Sequence, residues 1–185
     1  MCAIRTKSKI YIFMFNTLKV GVSAPDFSLK GVAAGKDGNW QLSDLKGKWV
    51  ILFFYPADFT FVCPTEVKAF HDDLASFTSR NVEVLGCSVD SHHVHRAWAE
   101  SLGGIDYPLL ADVHHTTCMD YNVYIEEEAQ ALRGTFIIDP EGVLRWYQIS
   151  DNNVGRNTDE ISRVVDALQN GGLCPINWKK GEKTL

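Results

Sequence analysis

Residues 49–70 read "WVILFFYPADFTFVCPTEVKAF", and the two halves of the stretch have different periods. Trp49 to Tyr55 is a continuous apolar run of strand length, the pattern of a strand covered on both faces in the middle of a sheet. From Val67 onward, Val67, Phe70, Leu74 and Phe77 fall at helical spacing with polar residues between them. A strand therefore feeds a helix, and Cys63 and Pro64 stand at the junction. With Pro64 at the first helical position, where its missing N–H costs nothing, Cys63 is the N-cap residue. Unpaired backbone N–H groups and the positive helix end would then face its sulfur and favour thiolate over thiol. The competing reading is a buried cysteine acting as a small hydrophobe, the usual fate of a free thiol.

The same alternation continues outward. "VEVLGCSV" (82–89) returns to strand character, and "HVHRAWAESL" (93–102) predicts a helix ended by Gly103 and Gly104. "YPLLAD" (107–112) reads as a short strand, followed by a helical turn before Tyr121. In the last third, "GTFIID" and "VLRWYQI" flank the turn residues Pro140, Glu141 and Gly142, which predicts an antiparallel pair. The final helix has a capping-box pattern at Asn157 and Glu160, apolar positions Ile161, Val164, Val165 and Leu168, and Gly171 where a C-terminal cap belongs. The fold class is α/β, with a central mixed β-sheet flanked by helices.

The 185 residues are near the size of one domain, and 45% hydrophobic content is enough for a real core. We expect residues 18–185 to form a single domain. Residues 1–17 are expected to be an N-terminal extension: basic residues precede an apolar run, but Ile10 to Phe15 is too short for a secretory signal. No segment reaches membrane-spanning length. The net charge of −5 gives no electrostatic footprint for nucleic acid or an anionic membrane surface. Cys2, Cys63, Cys87, Cys118 and Cys174 form an odd, scattered set without a CxxC pair, which argues against a disulfide scaffold and a structural zinc site. We expect a cytoplasmic protein, where any disulfide is transient and catalytic.

Elimination narrows the chemistry at Cys63. A thioredoxin-type dithiol needs a second cysteine three positions on, where Glu66 stands, and a phosphatase loop needs an arginine six positions on, where Ala69 stands. A hydrolase needs a histidine base, and the six histidines leave that open.

"FYPADFTFVCPTE" (54–66) resembles the active-site segment of the peroxiredoxins, with Pro56, Thr60 and Cys63 in register. The resemblance extends through "APDFSL", "LGCSVDS", "YPLLAD", "LRGTFIIDPEG" and "VGRN" to "LCPINW", nearly the whole chain, and is greatest to the typical two-cysteine group that includes the C component of alkyl hydroperoxide reductases. It implies a thioredoxin-like fold with insertions and a peroxidase that needs neither cofactor nor metal. Cys63 matches the peroxidatic cysteine and Cys174 the resolving cysteine, contributed in that group by the partner subunit of a homodimer. Thr60 matches the threonine that hydrogen-bonds the peroxide, Pro56 the proline that shields the sulfur, and Arg133 the arginine that steadies thiolate and substrate. Glu66 and Arg156 match supporting positions. The implied partners are peroxides, thioredoxin or a flavoprotein reductase, and further copies of the chain in a decameric ring.

Each residue has a plainer reading as well. Arg133 as a surface charge, Thr60 as an ordinary loop residue and Glu66 as a first-turn acid complementing the helix dipole are the simplest. Cys87 is expected in the core, Cys118 on a helix face and Cys2 in a disordered terminus. The "HHVH" and "HH" clusters are read as solvated surface, because no carboxylate or cysteine pattern completes a metal site around them. Trp98, Trp146 and Trp178 are read as packing residues. A non-enzymatic holdase or redox sensor on the same fold is the alternative function, and intact Pro56, Thr60, Cys63 and Arg133 weigh against it.

Overall fold

A computed structural model describes residues 18–185; the expected extension and Cys2 lie outside the described residues. The chain opens with a hairpin, β1 (Ser28–Ala33) and β2 (Lys36–Gln41), and a short 3-10 turn at Leu42–Leu45. Then come β3 (Trp49–Phe54), α1 (Cys63–Asp72), α2 (Leu74–Ser79), β4 (Val82–Ser88), α3 (His92–Ser101), β5 (Leu109–Ala111) and α4 (Thr116–Asp120). A small hairpin, β6 (Tyr124–Ile125) and β7 (Gln130–Ala131), precedes β8 (Arg133–Ile138), β9 (Leu144–Ser150) and α5 (Thr158–Asn170).

Seven strands form one mixed sheet in the order β2-β1-β5-β4-β3-β8-β9. β3 pairs in parallel with β4 and antiparallel with β8, so the apolar run is interior as expected. Its side chains alternate between two core layers. Ile51, Phe53 and Tyr55 pack with Val67, Phe70, Phe77, Trp98, Val164 and Val165 on the face covered by α1, α2, α3 and α5. Val50, Leu52 and Phe54 pack with Cys118, Tyr121, Val123 and Phe136 on the other. Phe53 stacks on Phe70 with ring centroids 4.2 Å apart, which locks α1 onto β3. Opposite Phe53 in the ladder is Gly86, where an added Cβ would come within 2.9 Å of the Phe53 ring.

Two features differ from the sequence reading. The apolar spacing from Val67 to Phe77 suggests one helix, but the backbone tightens at Asp73 (φ −88°, ψ −1°), whose N–H bonds Ala69 and His71 carbonyls, and the chain divides into α1 and α2. The β1–β2 hairpin carries no apolar alternation in its second strand, because β2, "KDGNWQ", is mostly polar. Its turn uses left-handed backbone at Ala34 (φ 47°) and Gly35 (φ 74°). The end of the chain matches its signals: the Asn157 side chain accepts from the Glu160 N–H, and Gly171 closes α5 in left-handed conformation.

Candidate active site

Cys63 sits one position deeper in the helix than the proline rule suggests. Val62 is the N-cap, with helical dihedrals of −87° and −39°, and Cys63 and Pro64 occupy the first two helical positions. The reason is local: the Val62 carbonyl already accepts the Thr65 N–H at 3.0 Å and the Glu66 N–H at 3.4 Å, so the helix begins before the proline. Buried completely, the sulfur takes its hydrogen bond from a side chain, Arg133 Nη1, at 3.4 Å.

Arg133 opens β8, the strand beside β3, and so reaches the same end of the sheet as Cys63. It is buried rather than a surface charge. Its Nε donates to the Asn152 carbonyl at 2.9 Å, and its Nη1 also donates to Glu66 Oε2 at 2.6 Å. Glu66, three residues after Cys63 on the same helix, accepts Arg156 Nη1 at 2.7 Å on Oε2 and the Arg156 backbone N–H at 3.0 Å on Oε1. The loop residue Arg156 holds its remaining donors on Thr135 Oγ1 at 2.8 Å, the Gly134 carbonyl at 3.1 Å and the Phe54 carbonyl, and its guanidinium lies over the Phe53 ring. Burial pushes the Arg156 guanidinium down to about 10, with Glu66 pulling against it. Two buried cations thus share one carboxylate, each within hydrogen-bond distance of the same oxygen.

The loop from β3 to α1 completes the site. Pro56 is buried at its start, and half-buried Thr60 donates its hydroxyl to the Ala57 carbonyl at 2.9 Å. The loop is fixed from below by a group the sequence reading missed. His95, expected in solvent with its neighbours, is fully buried: Nδ1 meets Asp58 Oδ2 at 2.7 Å and Nε2 meets the Leu110 carbonyl at 3.0 Å. Tyr55 donates to the other Asp58 oxygen at 2.8 Å, and the Asp58 N–H bonds Asp90. Burial pushes the Asp58 carboxyl up, against His95. The signal was available: His95 precedes buried Trp98 by three residues and so shares its helix face. No histidine among the described residues hydrogen-bonds Cys63, and no group of His, Cys, Asp and Glu among them is arranged to hold a metal.

Cys174 lies elsewhere, after α5, with its thiol 3.8 Å from the Ala167 carbonyl. The segment after α5 folds back on that helix: Trp178 is buried, its carbonyl accepts from Arg163 Nη1 at 3.4 Å, and Lys180 Nζ donates to Asp166 Oδ1 at 3.3 Å. The structure gathers Cys63, Glu66, Arg133 and Arg156 but leaves Cys174 apart from them. Cys87 and Cys118 are both buried in the layer that contains Val50 and Leu52, as core residues. Burial, then the Cys118 thiol beside it, pushes the Cys87 thiol well above its ordinary value.

A buried thiol on the first turn of a helix, held by an arginine that shares its charge with a neighbouring carboxylate, defines a cysteine-based redox protein on a thioredoxin-like α/β fold. The chain belongs to the AhpC/TSA family, whose model matches residues 20–147; Arg156 and Cys174 lie beyond that span. Relatives and solved structures of the same kind extend over most of the chain. It is 49% identical to YkuU of Bacillus subtilis over 175 residues, 90% of this chain and 97% of that one. The thioredoxin peroxidase of Echinococcus granulosus is 48% identical over 176 residues, 90% and 91% of the two chains. The reduced 2-Cys peroxiredoxin of Plasmodium vivax superposes with a TM-score of 0.85 at 40% identity, covering 89% of this chain and 91% of the other.

Proposed function

We propose that the protein is a thiol-dependent peroxidase that reduces hydrogen peroxide and alkyl hydroperoxides at Cys63, with Cys174 as the resolving thiol. The observation that carries this reading is Arg133 Nη1, 3.4 Å from the Cys63 sulfur and 2.6 Å from Glu66 in a buried pocket. With the thiolate present, two guanidiniums face Glu66 and one sulfur anion, so the charges balance; with a thiol one positive charge is left over in a low-dielectric site.

The thiolate attacks the hydroxyl oxygen of the peroxide, and the S–O bond forms as the O–O bond breaks. The electron pair leaves on the far oxygen, which takes a proton from solvent to give water or an alcohol. Arg133 donates to the reacting oxygens as charge builds on them. Because the Thr60 hydrogen is engaged with Ala57, its oxygen is turned to accept the peroxide O–H. Cys63 is left as a sulfenic acid; the Cys174 thiol condenses with it, releasing water and forming a disulfide that a dithiol reductant returns to two thiols.

Fully buried Cys63 and Cys174, which lies in the segment after α5, meet in a disulfide when local structure opens around the sulfur, because the bond needs Cα atoms within about 7 Å. Supply of Cys174 by a second copy in a homodimer, a decameric ring, and thioredoxin or a flavoprotein as reductant belong to this proposal; thioredoxin as the reductant is supported by the relative named a thioredoxin peroxidase. So do the single domain over residues 18–185 and a cytoplasmic location, the latter supported by the scattered free thiols. No separate observation favours a holdase or sensor.

Peroxide consumption driven by dithiothreitol is the primary assay, with thioredoxin and a flavoprotein reductase then compared as reductants; a folded protein that consumes none with dithiothreitol overturns the reading. Arg133→Lys keeps the charge but loses the planar fork, so peroxide oxidation of Cys63 should slow roughly 10- to 100-fold. Stopped-flow measurement of the first oxidation step at neutral pH reads this directly, and an unchanged rate would remove Arg133 from the chemistry. With Cys174→Ser, one equivalent of peroxide should give a sulfenic acid and no covalent dimer on non-reducing gels, while wild type gives the dimer. A covalent dimer in the variant would assign resolution to another thiol.

A further inference from the structure

We propose that Tyr107 is a positioning residue that confines the opening of α1 to its first turn and thereby sets the rate at which oxidised Cys63 is resolved. The inference rests on the assignment of Cys63 and Cys174 above. Tyr107 stands just before β5, is buried, and donates its hydroxyl to the Val67 carbonyl of α1 at 2.9 Å. Its ring meets Phe53 edge-on at 5.9 Å, and Phe53 in turn stacks on Phe70. Two other bonds join the same loop to the same helix: Lys68 Nζ reaches the Leu102 carbonyl at 3.4 Å, and the Asp106 N–H reaches His71 Nδ1 at 3.3 Å.

These ties divide α1 into two parts. The loop's bonds fall on Val67, Lys68 and His71, all beyond the first turn. Cys63 and Glu66, on the first turn, are held instead by Arg133 and Arg156. Conversion of the thiolate to a neutral sulfenic acid weakens the attraction to Arg133, whereas the Tyr107 bond joins two neutral groups and is indifferent to it. Oxidation therefore loosens the first turn, and full exposure of the sulfur to a second thiol waits for the second turn, which opens only when the Tyr107 bond breaks. The hydroxyl is also the buried partner that the Val67 carbonyl would otherwise lack on that side, so its loss is felt in α1 rather than at the sulfur.

Tyr107→Phe removes the hydroxyl and keeps the ring. Disulfide formation after one equivalent of peroxide should accelerate about fivefold, the worth of one ordinary hydrogen bond, while the oxidation step keeps its wild-type rate. Hydrogen exchange should lose protection at residues 67–71, with little change in β3 and β4. Equal changes in both chemical steps, or uniform loss of protection, would mark Tyr107 as merely structural and overturn the proposal, as would an unchanged disulfide rate. If Tyr107→Phe does not fold, Lys68→Ala at an exposed position weakens the same tie, and its disulfide rate must rise, more modestly, for the proposal to stand. The Cys174→Ser gel is read in parallel: a covalent dimer there refutes the assignment of the resolving thiol, whereas its absence with an unchanged Tyr107→Phe rate refutes only the tie.

Discussion

Cys63→Ser is expected to abolish turnover, with peroxide consumption at least about 10⁴-fold below wild type, while Cys87→Ser and Cys118→Ser retain most of it. A hydroxyl is almost wholly protonated at neutral pH and is a poor nucleophile toward oxygen, so the balanced charge set around Arg133 loses its reacting member. Cys87 and Cys118 are buried in the opposite core layer, and neither hydrogen-bonds an arginine among the described residues. Steady-state rates of the three variants, each checked for its fold by circular dichroism, make the comparison. Lost activity in a folded Cys87→Ser would place the chemistry on the wrong side of the sheet. The serine variant should still fold, because the exchange is nearly isosteric and Arg133 keeps its bonds to Glu66 and the Asn152 carbonyl.

The largest effect on stability is expected at Glu66. Glu66→Gln keeps the volume but leaves Arg133 and Arg156 facing each other in the interior with no anion between them other than the thiolate. Both guanidiniums are buried, and their Nη1 atoms lie 2.6 and 2.7 Å from the same carboxylate oxygen. Removing one member of a buried ionic set costs about 3–5 kcal/mol, because the remaining charge stays desolvated and uncompensated. Denaturant unfolding of the reduced protein measures it, and a loss under about 1 kcal/mol would show that solvent reaches the cluster. Adding Arg156→Met to Glu66→Gln should recover part of the loss, since the second change removes the stranded cation; the interaction energy from that cycle isolates the coupling.

Much of this was legible in residues 49–70. The continuous apolar run needed a strand buried on both faces, and β3 is one. The helical spacing after it required a helix, and the thiol between them is the reacting group of the proposed chemistry. The register of the cap was not legible, because the proline rule places Pro64 at the first helical position whereas the chain had already turned helical at Val62. Nor was the charge cluster: Glu66, Arg133 and Arg156 are 67 and 90 residues apart in their pairings, and only resemblance to known proteins pointed to them. His95 shows the opposite failure. Its neighbours His92 and His93 made it look like part of a polar patch, while its helical phase with Trp98 already placed it inside. β2 stayed invisible because an edge strand with one wet face needs little apolar character.

The alternation along β3 carries a consequence for how this site tolerates changes in chain length. Odd-numbered residues from Ile51 to Tyr55 face one layer and even-numbered residues from Val50 to Phe54 the other, and the loop to Cys63 leaves directly from that strand. Which layer each β3 side chain fills is therefore a matter of parity, whereas the side taken by the Cys63 helix is set by the handedness of the crossover between the parallel strands β3 and β4. Loss of a single residue within β3 would exchange the two faces beyond it, turning side chains that pack against the Cys63 helix into the layer that holds Tyr121 and Phe136. A compensating single-residue change within the same strand restores the phase; one placed in the loop, after the faces have been exchanged, does not. Insertions and deletions in this stretch of the gene are thus constrained in steps of two, a restriction that point substitutions of its apolar residues would never reveal.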